Sequence, residues 1–297
     1  KINFTRIIYS KNEANGLLNF GIQHWVSSLG SSLFGQMDRI LVNAILGPTI
    51  AGVYSAATSL TMKINELSAI PIKVITPSIS AEKTNGNYSM IRRIFFKATR
   101  LNGFVVLLVA LPLIFWADFV ATIVVSGETA ASFSAILPLL ACIYGIYSLG
   151  ASGFFLMLGL GKPKVNAIWG IIGGLALCAL LTLLSHRLGI SGAVWANAAY
   201  IMVIFINFYG VKLLEIKLSD YSQVFFRSVL ILIAWSVLVN FFPPSGMTIG
   251  LRLIVFFTAG AVSLVFTLGL EETKALPLRF KHRFLHHGIN HDEVKPS

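Results

Sequence analysis

Apolar runs of bilayer-spanning length recur along the whole of this chain, separated by short breaks that carry Gly, Pro or basic residues. A spanning helix needs about 20 consecutive, mostly apolar residues. Hydropathy places such runs at roughly 17–45, 50–79, 101–117, 133–160, 165–185, 190–211, 224–242 and 247–270. The expected fold class is therefore all-α: a polytopic helical membrane protein with about eight transmembrane helices. The runs lack the ~10-residue alternation of a transmembrane barrel. Composition points the same way, since only 12% of residues are charged, about half the share of a soluble domain. The first two runs are long enough to tilt or to project beyond the hydrocarbon. Cys142 and Cys178 both fall inside apolar runs and read as packing residues rather than a disulfide or metal pair. No cleavable signal peptide is visible, and an opening Lys1 in place of Met suggests a fragment without its natural start.

The net charge of +11 would suggest nucleic acid in a soluble protein. The positions of the charges suggest topology instead. One set of connections holds Lys1, Arg6 and Lys11, then Lys83, Arg92, Arg93, Lys97 and Arg100, then Lys162 and Lys164, then Lys212, Lys217 and Arg227. The tail adds Lys274, Arg279, Lys281, Arg283 and Lys295 on the same side. The opposite set holds only Arg187 and Arg252, with Asp118 and Glu128. Eighteen basic residues against two is a strong positive-inside bias, and an even number of spans puts both termini in the cytoplasm. Membrane lipids with anionic headgroups are the expected electrostatic partners. No loop joins a basic cluster to an aromatic platform, so no nucleic-acid partner is expected.

The chain divides into a cytoplasmic amphipathic segment at 1–16, six helices over 17–215, two additional spans over 216–270 and a basic cytoplasmic tail at 271–297. Ile2, Phe4, Ile7 and Ile8 among basic residues suit an interfacial segment. In the longest internal basic loop, 81–100, Asn85-Gly86 marks a turn and 88–100 reads as a short amphipathic helix.

Charges inside the first two apolar runs need an explanation. In "GQMDRILVNAILGPTIAGVYSAA" (35–57) Asp38 and Arg39 sit side by side, and Gly47-Pro48 then breaks the run. At 100° per residue, His24, Ser27, Ser28, Ser31, Gly35 and Asp38 fall within an arc of about 100°, with Arg39 at its edge. On the second helix Ser55, Ser59, Lys63, Glu66, Lys73 and Pro77 share one face by the same arithmetic. A central Asp, Lys or Arg costs about 2.5–3.5 kcal/mol on the insertion scale. Asp38, Arg39, Lys63, Glu66 and Lys73 would together cost more than ~10 kcal/mol facing lipid. Two readings remain open. The charges can form internal ion pairs, for which Lys63 and Glu66 have i,i+3 spacing and the adjacent Asp38 and Arg39 do not. Alternatively they line a water-filled cavity with surplus positive charge, suited to an anionic headgroup.

Other features read as packing. His24 is a lone stripe residue, and His282, His286, His287 and His291 lie on the tail. Gly170 and Gly174 permit close helix contact, and Pro77, Pro112 and Pro138 can bend their helices. "GLGKPK" at 159–164 fails as a phosphate loop, because position 156 is Leu and Pro163 replaces Ser/Thr. No nucleophile elbow or zinc-spaced His/Cys set occurs. No enzyme activity, cofactor or metal is expected.

"DRILVNAILGPTIAGVYSAATSL" (38–60) resembles the seventh-helix signature of the bacterial polysaccharide/O-antigen flippases, within the multidrug/oligosaccharidyl-lipid/polysaccharide exporter superfamily. "LGLGKPKVNAIWGIIGGLAL" (158–177) and "HRLGISGAVWANAAYIM" (186–202) resemble a later hallmark, a basic turn, a helix, then Gly-Ile-x-Gly-Ala opening the next. The resemblance covers about 16–215. It implies the second lobe of a two-lobe exporter fold around a V-shaped cavity, with the first lobe missing. It implies a lipid-linked oligosaccharide substrate, carried on undecaprenyl pyrophosphate and flipped across the bacterial inner (cytoplasmic) membrane. Polysaccharide polymerase and ligase machinery would then be partners. Arg39, Lys63 and Lys73 would attract the pyrophosphate. Asp38, Glu66 and His24 would balance charge or couple protons, and Gly47, Pro48 and Pro77 would act as hinges. The alternatives are a drug/cation antiporter of the same superfamily, favoured by an acidic aromatic cavity; an inactive half-transporter; and a membrane polymerase or glycosyltransferase, which would need a longer catalytic loop.

Overall fold

The structure is a computed structural model that describes residues 18, 21, 22, 25, 36–125, 127–241 and 249–268. Among these residues every regular element is helical. The elements are α1 (36–46), α2 (Pro48–Lys73), α3 (Ile75–Thr84), α4 (Tyr88–Phe115), α5 (Ala117–Val124), α6 (Thr129–Ser148), α7 (Ala151–Gly159), α8 (Pro163–Ala196), a 3₁₀ segment (Asn197–Val203), α9 (Ile204–Leu213), α10 (Leu218–Phe241) and α11 (Ile249–Leu268). The chain is an all-α membrane protein. Tyr88–Phe115, Thr129–Gly159, Pro163–Leu213 and Leu218–Phe241 are long and apolar enough to cross a membrane.

Breaks in the helices follow from particular residues. The sequence predicts one helix over 50–79, but α2 ends at Lys73 and α3 starts at Ile75. Pro77 lacks the N–H that would bond the Lys73 carbonyl, and its ring crowds that carbonyl, so the helix parts there. The predicted amphipathic helix at 88–100 and span at 101–117 are instead one helix, α4, of 28 residues. At 1.5 Å per residue α4 is about 42 Å long, so about two turns extend past a ~30 Å hydrocarbon core. Asn87 caps it by accepting from the Met90 N–H at 3.3 Å.

The 51-residue stretch Pro163–Leu213 is a hairpin. Gly189 has φ 59 and ψ −137, outside the helical region. A side chain at Gly192 would run into the backbone of Leu184 and Ser185, so the arms lie in close contact at the turn. Trp169 stacks on Phe205 across the arms, ring centroids 4.9 Å apart. The predicted spans 165–185 and 190–211 correspond to these two arms.

The core sits where α2, α4, α6 and the 3₁₀ segment pack together. Tyr54, Phe95, Phe133, Ile64, Leu107, Ile114, Leu137 and Leu140 are fully buried there. α10 is fastened to α4 by Tyr221, which stacks on Phe95 at 5.4 Å, and by Trp235, which meets Phe115 edge-on at 5.5 Å. α11 belongs to a second unit, Met247–Ser297, and is a single apolar helix of 20 residues.

A break in the middle of an apolar stretch leaves carbonyls without helical donors. α6 stops at Ser148 and α7 resumes at Ala151. Three asparagines serve carbonyls in and beyond this region. Asn102 of α4 donates to the Ser148 carbonyl at 2.9 Å, Asn207 of α9 donates to the Leu149 carbonyl at 2.9 Å, and Asn166 of α8 donates to the Phe154 carbonyl at 3.0 Å. Gly153 is tied to the same device, because any Cβ there would overlap Asn207.

Candidate functional site

The α1–α2 hairpin turns on Gly47, whose φ of 85 and ψ of 169 lie in a region that only Gly occupies readily. Pro48 follows as the first residue of α2, where its fixed φ suits helix entry and its missing N–H costs nothing. The return brings α2 back along α1. Residues 36–46 thus have two neighbours at once, α2 on one side and the α8 hairpin on the other, and Val42 packs in one buried cluster with Tyr54, Leu177, Leu181 and Ala196.

Asp38 points into this interior and is 2% exposed. Its Oδ2 accepts from the Tyr54 hydroxyl at 3.0 Å and its Oδ1 from the Arg39 backbone N–H at 2.7 Å. The Tyr54 hydroxyl in turn accepts from the Asn197 amide at 2.8 Å. That amide also donates to the Ala193 carbonyl at 2.9 Å, and the Asn197 carbonyl accepts from the Tyr144 hydroxyl at 3.2 Å. Tyr54, Asn197 and Tyr144 are each at most 3% exposed. One unbroken chain of hydrogen bonds therefore ties α1, α2, α6 and the 3₁₀ segment. In a low dielectric such a chain is worth forming only if every member is satisfied. Tyr200 and Tyr147 close over it, with ring centroids 5.3 Å apart.

Arg39 leaves α1 about 100° around the helix from Asp38. It is half-buried. Its Nη2 donates to the Ser59 hydroxyl at 3.0 Å and lies 3.9 Å from the Met62 sulfur. Its Nε is buried and has no hydrogen-bond partner among the described residues. Beyond Ser59 the outer face of α2 continues through Lys63, Glu66 and Lys73, all exposed, to Pro77 on α3, also exposed. Lys63 and Glu66 form an ion pair at 2.6 Å, with side chains 57% and 56% exposed. The inner face of α2 is filled by Ala57, Thr58, Thr61, Ile64, Ser68 and Ile72. Its two Thr hydroxyls bond the carbonyls of Tyr54 and Ala57 at 2.9 and 3.0 Å, so they make no demand on other helices.

Of the sequence-derived site residues, Arg39, Lys63, Glu66 and Lys73 thus share the outer face of the hairpin, and Asp38 stands apart from them on the inner side. Gly47 and Pro48 form the hairpin turn, and Pro77 follows the α2–α3 break. His24 lies outside the described residues, as do Ser27, Ser28, Ser31 and Gly35 of its stripe. Sequence reasoning missed Tyr54, Tyr144 and Asn197. The available signal was Asn197, a carboxamide inside the apolar run "GAVWANAAYIMV". Among the described residues no group of three or more His, Cys, Asp or Glu is placed to hold a metal ion.

Residues 4–133 match the model of a family described as "Polysaccharide biosynthesis protein". The chain is also 26% identical over 232 residues to the "Uncharacterized membrane protein EpsK" of Bacillus subtilis (strain 168), a match that covers 74% of this chain and 45% of that protein. The chain thus spans about half the length of the curated relative it matches. The family match covers the α1–α2 hairpin and runs on through α5 into the start of α6. Over those residues the chain is thus similar to a polysaccharide biosynthesis family, and over most of its length to a membrane protein.

Proposed function

We propose that this chain is one lobe of a polysaccharide transporter, and that the complete protein moves an undecaprenyl-pyrophosphate-linked oligosaccharide across the bacterial inner membrane by alternating access. The observation that carries this reading is the outer face of the α1–α2 hairpin. Three cations and one carboxylate line up there, on a helix pair whose other face is sealed into the core. The Arg39 Nε at the border of that face has no partner among the described residues. Buried donors are normally satisfied, and an anionic oxygen is a suitable acceptor.

A sugar pyrophosphate cannot cross hydrocarbon unaided, whereas a hydrated cationic groove open to each side in turn lowers that barrier. In this reading Arg39 supplies a fixed fork for a phosphate oxygen, and Lys63 and Lys73 supply mobile point charges along the path. Glu66 holds Lys63 when no substrate is present and releases it when a phosphate competes. The oligosaccharide stays in the groove while the polyprenyl tail stays in the bilayer. The basic end of the bundle faces the cytoplasm. The second wall of the groove comes from a first lobe, and the Gly47-Pro48 turn and the α2–α3 break at Val74 accommodate the rocking.

The test uses the full-length protein in a strain that depends on it for surface polysaccharide. Arg39→Ala and Lys63→Ala should each lower polysaccharide assembly at unchanged protein abundance, and Arg39→Lys should restore little because it loses the fork. Normal polysaccharide in both alanine variants would sink the reading. Altered drug accumulation with normal polysaccharide would favour the antiporter alternative.

A further inference from the structure

Three turns meet at one end of the helical bundle. Between them lies a pocket of about 370 Å³ lined by Lys83, Tyr88, Arg92, Leu160, Lys162, Leu213, Leu214 and Glu215. It is separate from the α1–α2 outer face, and none of its residues was singled out as a site by the sequence. α3, α7 and α9 end around it and α4, α8 and α10 begin around it. Three carbonyl ends and three N–H ends offset each other's partial charges, so the side chains set the field. Those are three cations and one carboxylate.

Two of the cations have fixed positions. Lys83 Nζ donates to the Leu160 carbonyl at the end of α7, at 2.8 Å. Arg92 Nε donates to the Leu214 carbonyl at the end of α9, at 2.5 Å, and its Nη2 lies 3.5 Å from the Glu215 carboxylate. These bonds hold the three turns at a set spacing and leave the remaining N–H groups of both cations available. The Lys162 side chain, on the third side, is exposed and makes no hydrogen bond or ion pair among the described residues.

The backbone adds a second observation. α7 and α9 end in turns of the same form. Lys162 N–H bonds the Met157 carbonyl at 2.8 Å, and Ile216 N–H bonds the Val211 carbonyl at 3.0 Å. Such a turn needs a left-handed residue, usually Gly. α7 uses Gly161 at φ 68, but α9 places Glu215 there at φ 51, the one non-glycine residue with positive φ among the described residues. The strain of a left-handed Glu is retained where its carboxylate meets Arg92. The Glu215 carboxylate, on a side chain 86% exposed, thus stands beside Arg92 at the mouth of the pocket.

We propose that this pocket is a binding site for a phosphate group at the basic end of the bundle, and that Glu215 occupies part of it until the phosphate arrives. Tyr88, 50% exposed, offers an apolar wall and a hydroxyl beside the three cations, as the glycerol region of a phospholipid would use. This inference does not rest on the transport reading. A lipid headgroup and a soluble phosphate share the recognised chemistry, and the test separates them.

The full chain in mild detergent is titrated with dioleoyl phosphatidylglycerol, with dioleoyl phosphatidylcholine and with glycerol phosphate, and occupancy is read by native mass spectrometry. Lys162→Gln should weaken phosphatidylglycerol binding by about fivefold, the effect of one basic residue at an anionic surface. Lys164→Gln, two residues away but outside the pocket, should change it less than about twofold. Glu215→Gln should strengthen binding, because it removes the competing carboxylate. Competition by glycerol phosphate would assign the site to a soluble phosphate, and its absence would assign it to a lipid. Equal losses in Lys162→Gln and Lys164→Gln would mean diffuse surface charge and overturn the site. So would unchanged binding in Glu215→Gln with an unchanged melting temperature, or phosphatidylcholine bound as tightly as phosphatidylglycerol.

Discussion

The inner face of the α1–α2 hairpin carries one carboxylate, Asp38, joined through Tyr54 and Asn197 to Tyr144 in a sealed interior. The outer face carries Lys63, Glu66 and Lys73 in the open, with one ion pair among them. Both faces hold polar groups in a sequence that is otherwise oil-like, yet the energetic consequences are of different kinds. A buried donor or acceptor left unmade costs about 1–3 kcal/mol, whereas an exposed ion pair contributes about 0.2–1 kcal/mol. The inner set therefore determines whether this fold forms. The outer set affects little within the chain itself, and its value lies in whatever stands opposite.

Mutations can break this comparison. The largest effect is expected from Asn197→Ala, which strands the Tyr144 hydroxyl and leaves a void between four elements. It should lower unfolding free energy by about 2–4 kcal/mol in detergent denaturation. Tyr54→Phe removes the hydroxyl that bonds Asp38 and should cost about 1–3 kcal/mol. A double-mutant cycle between the two should show coupling of about 0.5–3 kcal/mol, as members of one network do. Arg39 is the half-buried member of the outer set, and in Arg39→Ala the loss of its Ser59 bond should cost about 1 kcal/mol in the same assay.

The smallest effect sharpens the contrast most. Replacing Lys63, Glu66 and Lys73 together by Leu should leave stability within about 1 kcal/mol if water borders that face. If hydrocarbon borders it, the same triple variant should gain several kcal/mol, since each charge facing lipid costs about 2.5–3.5 kcal/mol. Denaturation of the variant in lipid-containing micelles distinguishes the two outcomes.

Local signals in the sequence carried much of the architecture. Gly47-Pro48 marked the first hairpin turn, and the break between the predicted spans 165–185 and 190–211 contains Gly189, whose positive φ makes the second turn. The i,i+3 spacing of Lys63 and Glu66 allowed the ion pair that the structure forms. The α2–α3 break falls inside the predicted span 50–79, and Pro77, legible as a bend, stands three residues downstream of the gap. The amphipathic start of α4 was separated from its apolar remainder, because hydropathy sees the bilayer boundary and the helix does not end there. The partners of Asp38 were beyond reach for a different reason. Asn197 is 143 residues from Tyr54, and no periodicity connects them. The scattered Asn102, Asn166, Asn197 and Asn207 were nonetheless visible as carboxamides in apolar runs. Each serves a carbonyl or hydroxyl of another helix.

The divergence of Asp38 from Arg39 has a mechanical consequence. Two adjacent residues, pointing about 100° apart around α1, fasten it to α2 at two places, the Tyr54 hydroxyl and Ser59. They act like a key in a shaft. Rolling α1 about its own axis would pull a carboxylate out of its hydroxyl and a guanidinium off its serine at the same time, and the buried Tyr54–Asp38 bond alone costs about 1–3 kcal/mol when broken. Sliding or tilting of the whole hairpin breaks neither. Any motion of this hairpin should therefore carry α1 and α2 as one rigid plank, with the bending displaced to its ends.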